Sequence, residues 1–353
     1  MDIAVQTDSA RECQPAAAAD SVARAVRIPG GNHEYGLREL EKHLDGGELI
    51  AFVGSGTSNG VYDSWSSLVG RIYKACVGRD APDLGSANPQ RLIELAEVAK
   101  QTSSAVYHRT IAEVFARQPQ TRCVYQYLAK AGFRNYVTTN FDCLIADALA
   151  QLETDARSRS SVVFPYPGPL LPALQEKKTV VYIHGYVGPD SVPSEENPVV
   201  LASSEFALAY EDESPLKSFL TQLFVEYAVC FIGCRLQELP LRSVLSAATR
   251  IRRTRKQKFS RPLQPLFILL ETWSASTQLA EEKNCPRRAL SGTEQIEIAT
   301  EQDETRYYQD MGLNVVRYAP VANHLGLDIL AKKWAKIEDA SVHSPSRGGL
   351  PYE

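Results

Sequence analysis

The sequence predicts an α/β fold, a doubly wound and mostly parallel sheet covered by helices on both faces. Three observations predict it. Short apolar runs such as Leu49–Val53, Val180–Ile183 and Ala228–Ile232 alternate with segments of helical spacing, the rhythm of βα units. Those runs are apolar throughout rather than alternating, as expected of strands buried on both faces. Glycine or small polar residues follow each run directly, where ligands gather in such sheets.

The elements follow in order. Leu37, Leu40 and Leu44 have helical spacing, and Gly46-Gly47 supplies a stop. Glu48–Val53 reads as a buried strand running into Gly54-Ser55-Gly56-Thr57-Ser58. Ser64 opens a helix with Leu68, Val69, Ile72, Tyr73 and Cys76 on one face. Helical patterns recur around 90–100, 105–117 and 121–131, within an insertion spanning about 80–131 before the next strand, Asn135–Thr139. Lys178–Ile183 is a third strand and Pro198–Leu201 a fourth. Helices at 203–211 and 214–227 lead to the strand Ala228–Ile232, a helix over 237–250 and a strand over 266–270. The strand Leu313–Tyr318 and a helix over 324–337 close the fold, which is Rossmann-like in outline.

Composition narrows the function classes. The chain has 353 residues, 38 basic and 42 acidic, for a net charge of −4, and 44% of its residues are hydrophobic. That is globular composition, and the charge gives no bulk reason for nucleic-acid binding. No run approaches the ~20 apolar residues of a membrane span, and no basic-then-apolar leader opens the chain. Seven scattered cysteines, an odd number with no C-x-x-C pair, predict reduced thiols and a cytoplasmic protein without a metal site. Cys230 and Cys234 read as small buried thiols beside a strand. Residues 1–32 and 341–353 read as flexible tails around a body over 33–340.

The strand ends carry the candidate chemistry. Gly54 and Gly56 allow a tight turn whose N–H groups could hold a pyrophosphate, or a turn without chemical meaning. A P-loop ATPase is disfavoured because no G-x-x-x-x-G-K exists. Asn140 and Asp142, two apart after Thr138-Thr139, can hydrogen-bond a ribose or an amide, or can cap a helix. His184, placed after an apolar strand and before Gly185, fits a general base or a satisfied structural histidine. Gly233 and Cys234 end a later strand, with Arg235 and Glu238 beyond.

In that order these motifs resemble the sirtuin (SIR2) superfamily, specifically the prokaryotic SIR2-like domains of antiphage defence systems. Gly54-Ser55-Gly56-Thr57-Ser58 is similar to the sirtuin Gly-Ala-Gly-x-Ser turn, and Thr138-Thr139-Asn140-Phe141-Asp142 to its Thr-Gln-Asn-Ile-Asp segment. His184-Gly185 matches the catalytic His-Gly, and Gly233-Cys234-Arg235-Leu236 stands for the late Gly-x-Ser-Leu turn. The resemblance implies NAD+ as substrate, with Gly54, Ser55, Gly56, Thr57, Ser58, Thr139, Gly233 and Cys234 binding it and Asn140, Asp142 and His184 catalytic. Two departures shape the expectation. Val61-Tyr62-Asp63-Ser64-Trp65 replaces the Pro-Asp-Phe-Arg stretch of the deacetylases, and the four zinc-binding cysteines of their small domain are missing. The expected reaction is therefore NAD+ hydrolysis to nicotinamide and ADP-ribose, depleting NAD+ in an abortive-infection response. Protein deacylation or ADP-ribosyl transfer is the first alternative, and a non-catalytic NAD or ADP-ribose module the second. The resemblance also implies a homo-oligomer with a separately encoded partner, a HerA-type ATPase or a short Argonaute. The run Arg250–Arg261, seven positive charges in twelve residues, is either a solvated loop or a contact with nucleic acid or an acidic partner.

Overall fold

The computed structural model describes residues 31–58, 61–62, 64–82, 84, 88–116, 123–152, 163–188, 191–259, 263–272, 292–318 and 325–337. The expected tails fall almost entirely outside these residues. At the described N-terminal edge the first helix, α1, begins at Gly31 and runs to Asp45. Gly46 N–H donates to Lys42 O at 3.0 Å and Gly47 N–H to Leu44 O at 2.9 Å, ending the helix as the glycine pair predicts.

Seven strands form one parallel sheet: β1 (Leu49–Val53), β2 (Tyr136–Thr138), β3 (Val163–Pro165), β4 (Val180–Tyr182), β5 (Ala228–Ile232), β6 (Leu266–Glu271) and β7 (Asn314–Tyr318). Their order is β3-β4-β2-β1-β5-β6-β7. The chain starts in the middle, builds outward through β2 to one edge, then returns across β1 to build β5, β6 and β7 on the other side. The connections leaving β1 and β5 therefore diverge, and a crevice opens at their carboxyl ends. Register fixes what meets there. Val53 pairs with Thr138 and with Ile232, and Thr138 pairs with Tyr182. Gly54, Thr139, Ile183 and Gly233, each one residue further on, come out level.

The pleat sorts alternate residues to two cores. Ile50, Phe52, Val137, Val181, Val229 and Phe231 face one layer of helices. Ala51, Val53, Tyr136, Val180, Cys230 and Ile232 face the other. The insertion between β1 and β2 comprises α2 (Trp65–Val77), α3 (Pro89–Thr102), α4 (Ser104–Phe115) and α5 (Cys123–Lys130). Ser64 Oγ accepts from Ser67 N at 3.2 Å and Asn88 Oδ1 from Arg91 N at 2.9 Å, capping α2 and α3. Leu68, Ile72, Leu95, Tyr107 and Ile111 form a third core with Phe141, Val199 and Leu201. The insertion thus walls the carboxyl end of β2. The remaining helices are α6 (Leu144–Ala150), α7 (Ser203–Ala209), α8 (Pro215–Glu226), α9 (Leu239–Phe259), α10 (Gly292–Asp310) and α11 (Leu325–Trp334).

Four readings of the sequence are corrected. Pro198–Leu201 is not a strand. It lies beyond the end of β4, where Val200 N donates to His184 O at 2.8 Å. The edge strand is instead β3, whose three residues include a proline. Helix α10 was not anticipated. Helix α9 continues through the basic run as far as Phe259, so that run is not a loop. Arg252 is buried and donates to the carbonyls of Phe224 (2.6 Å) and Gln264. Arg253 donates to Asp310 O at 3.1 Å, and Arg255 pairs with Glu226. Three of its charges thereby fasten α9 to its neighbours. Among the described residues no helix is long and apolar enough to cross a membrane.

Candidate active site

The first sequence feature, the Gly-x-Gly turn, is explained by its neighbour. Gly54 N–H donates to Ile232 O at 2.9 Å and Gly56 N–H to Gly233 O at 3.0 Å, so the β1 and β5 end-loops lie backbone against backbone. A Cβ on Gly54 would lie 2.5 Å from Cys234 Sγ, and one on Gly56 2.8 Å from Gly233 O. Gly233 has φ +65°, and a Cβ there would meet Thr57 N at 2.7 Å. The amides of Gly54, Gly56 and Thr57 are thus already committed to Ile232, Gly233 and Gly54 carbonyls. The glycines serve close loop packing, and these three amides donate within the protein.

Two connected spaces lie above this junction. An outer cleft of about 460 Å³ is lined by Gly54, Ser55, Gly56, Gly233, Cys234 and Arg235, and extends to Glu271, Glu304 and Tyr318. An inner cavity of about 100 Å³ is lined by Ser58, Tyr62, Asn140, Phe141, Asp142 and His184. Ser55, Trp65, Thr139 and Glu238 line both and form the waist between them. Of the expected residues, only Thr57 lines neither. It is fully buried behind the turn, its hydroxyl donating to Gly54 O at 2.7 Å and lying 2.9 Å from the Tyr125 hydroxyl. Cys234 is on the cleft, with its thiol against Phe52 O at 3.4 Å and pushed well up by burial.

Ser58 is the hub of the inner cavity. Its hydroxyl donates to Asp142 Oδ2 at 2.9 Å and accepts from Asn140 Nδ2 at 3.1 Å, while Tyr125 OH lies 2.6 Å away. Asn140 Nδ2 also reaches Gly54 O at 3.3 Å, and Asn140 N donates to Thr138 Oγ1 at 3.0 Å. The amide is therefore oriented, and its Oδ1 is left buried without a hydrogen-bond partner. Asp142 Oδ1 accepts from Leu144 N at 3.1 Å, so the carboxylate also caps α6. Burial raises the Asp142 pKa to about 6, against the lowering pull of Ser58 and the backbone.

His184 is 4% exposed, and burial lowers its pKa to about 3, so the imidazole is neutral at physiological pH. Its Nε2 lies 2.8 Å from Tyr210 OH, and its ring meets Phe206 edge-on at 5.3 Å between centroids. Gly185 has φ +90°, and a Cβ there would sit 2.4 Å from Pro198 O. It lets the segment 198–201 close over the histidine rather than opening access to it.

Sequence reasoning missed Tyr125, Tyr210 and Tyr62. The first two meet their partners across 67 and 26 residues, and no local pattern marks such pairs. Glu238 follows Gly233 closely in sequence, and only the fold places it at the waist. Burial holds its carboxyl above the ordinary range. Among the described residues no cluster of three or more His, Cys, Asp or Glu side chains is placed to hold a metal ion.

Comparison with known protein families gives a match over part of the chain. A family model described as a SIR2-like domain matches residues 134–285. That stretch runs from the threshold of β2 past β6 and includes Asn140, Asp142, His184, Gly233 and Glu238; β1 and its glycine turn lie outside it. No curated protein matches the chain.

Proposed function

We propose that this chain, which carries a SIR2-like domain, is an NAD+ glycohydrolase that converts NAD+ and water to nicotinamide, ADP-ribose and a proton. The observation that carries this is the inner cavity: Asn140, Asp142 and His184 meet in a space of about 100 Å³, joined by a waist to a larger cleft at the sheet's switch point. The division suits a dinucleotide, with ADP in the outer cleft and the nicotinamide riboside beyond the waist. Arg235 is the one cation among the described residues lining the cleft and is the natural partner of the pyrophosphate.

The chemistry follows from the side chains. The bond between ribose C1′ and the pyridinium nitrogen breaks, its electron pair goes to nicotinamide, and positive charge develops on the ribose. Asp142 is ionised at neutral pH and supplies negative charge beside that cation. Asn140 Oδ1, buried and unpartnered, accepts from the attacking water or a ribose hydroxyl and positions it. The proton the water loses as it bonds to C1′ goes to Asp142, whose pKa of about 6 lies near working pH, while burial keeps His184 neutral as a hydrogen-bonding partner in the same cavity.

The missing set of four zinc-binding cysteines and the departure at Val61–Trp65 favour water over an acyl-lysine as acceptor. Residues 185–188 and 191–202 follow His184, with a bridge between Gly188 and Ser191 and Asn197 Nδ2 donating to Ser191 Oγ at 2.8 Å. Val199, Leu201 and Ala202 then pack into the insertion core. The reading extends to an effector of antiphage defence, in the cytoplasm, working as a homo-oligomer under a separately encoded HerA-type ATPase or short Argonaute, because unrestrained NAD+ hydrolysis would poison its host. Incubation with NAD+ alone tests the activity. Nicotinamide release without acylated peptide supports it, and strict dependence on such a peptide would support deacylation instead.

A further inference from the structure

Tyr62 lies in the stretch Val61–Trp65, which the motif comparison singles out as the departure from deacetylases and which the proposed mechanism leaves unused. Its backbone N–H donates to Ser58 O at 3.1 Å, so the chain doubles back over the glycine turn and delivers the phenol to the inner cavity. The ring is fixed against Phe115 at 4.9 Å between centroids, and Phe115 meets Phe141 edge-on at 5.7 Å. The Tyr62 hydroxyl is buried and has no hydrogen-bond partner among the described residues. An O–H in that state is costly, and buried hydroxyls in folded proteins are almost always paired. Asn140 Oδ1, on the same cavity, is the second such atom. Two orphan polar atoms on residues that line one small, aromatic-walled space are what a flat ligand carrying a polar group would satisfy.

The geometry points to Tyr62 as the donor that recognises the carbonyl oxygen of a primary carboxamide on an aromatic ring, the nicotinamide end of the dinucleotide. This rests on the NAD+ reading and specifies which residue selects the base. Burial, followed by the nearby negative charge of Asp142, pushes the phenol above its ordinary range, so it remains a donor throughout the working pH range. Asp142, acceptor-only when ionised, suits the carboxamide NH2 on the same group. A carboxylate in place of the carboxamide would offer Asp142 no donor and would add a like charge beside it.

The test uses binding rather than turnover. The ligands are carba dinucleotides, which are not hydrolysed, carrying nicotinamide (carba-NAD+), 3-acetylpyridine, which keeps the carbonyl and lacks the NH2, or pyridine, which lacks both, together with ADP-ribose. Tyr62→Phe removes only the hydroxyl. It is expected to weaken carba-NAD+ and the 3-acetylpyridine analogue on the order of tenfold, and to leave the pyridine dinucleotide and ADP-ribose within about twofold. Equal weakening of all four ligands would mean a packing role and overturn the assignment, as would an unchanged affinity for carba-NAD+. Wild-type protein that binds carba-NAD+ no better than the pyridine dinucleotide, or binds neither, overturns it without any variant. Failure of the hydrolase reading looks different: carba-NAD+ is bound with carbonyl selectivity while NAD+ is left intact.

Discussion

Asp142 and His184 share one cavity, and burial displaces their titrations in opposite directions, which makes the pH dependence of stability a sensitive probe of the site. His184 drops from 6.5 to about 3 on folding. Below pH 6.5 the unfolded chain takes up a proton that the folded one refuses, so this group's stabilisation is present above pH 6.5 and is lost as pH falls. Asp142 rises from 3.8 to about 6. Between those values the folded state holds the extra proton, so its contribution is full below pH 3.8 and lost as pH rises through about 6. In the wild type the two slopes oppose each other across this window. Asp142→Asn removes one of them. At about 1.4 kcal/mol per pH unit over about two units, the variant should lose about 3 kcal/mol more than wild type between pH 7 and pH 4. Urea denaturation across that range, followed by circular dichroism, measures the difference, and other titrating groups cancel between the two proteins. Parallel stability profiles for wild type and Asp142→Asn would refute the opposed titrations and the burial on which the site assignment depends.

Other consequences are simpler to read. Gly233→Ala forces a side chain into φ +65° and against Thr57 N at 2.7 Å, and should destabilise the protein by at least about 2 kcal/mol, seen as a lowered Tm. Arg235→Ala should weaken ADP-ribose binding about tenfold in calorimetry while leaving the Tm unchanged, since the side chain is exposed. Tyr210→Phe removes the 2.8 Å contact with His184 Nε2 and leaves the ring in place against Phe206. It should cost about 1–3 kcal/mol of stability and change the imidazole tautomer balance, read directly from its 15N NMR shifts.

How much of this was legible in the sequence depends on the range of the interaction. Parallel strands buried on both faces announce themselves as short apolar runs, so β1, β2, β4, β5, β6 and β7 could be found, and with them the residues at their carboxyl ends. Asn140, Asp142 and His184 were readable for that reason alone. Strand β3 was not, because three residues ending in proline at a sheet edge carry little apolar signal. Helix α10 was hidden by its mixed sequence, GTEQIEIATEQDETRYYQD, which shows no clear apolar stripe. The glycine turn was seen, but its physical reason was not. That reason lies in the β5 loop some 180 residues later, and only the register of Val53 with Ile232 brings the two together. The same holds for the hydroxyls of Tyr125 and Tyr210, whose partners are set by tertiary packing. The basic run shows the opposite error. Its charge density suggested an exposed loop, whereas Arg252 is spent inside the fold on two backbone carbonyls.

The central claim is that the inner cavity cleaves NAD+ with water. The most direct measurement follows NAD+ consumption and identifies the products, for wild type and for Asn140→Ala of demonstrated fold, without acylated peptide and with and without a candidate partner. The account predicts nicotinamide and ADP-ribose in equal amounts from wild type, and a loss of at least about a hundredfold in the variant, whose unpartnered acceptor is gone. Wild-type rates in Asn140→Ala, or no nicotinamide from wild type in any of these states, would contradict it.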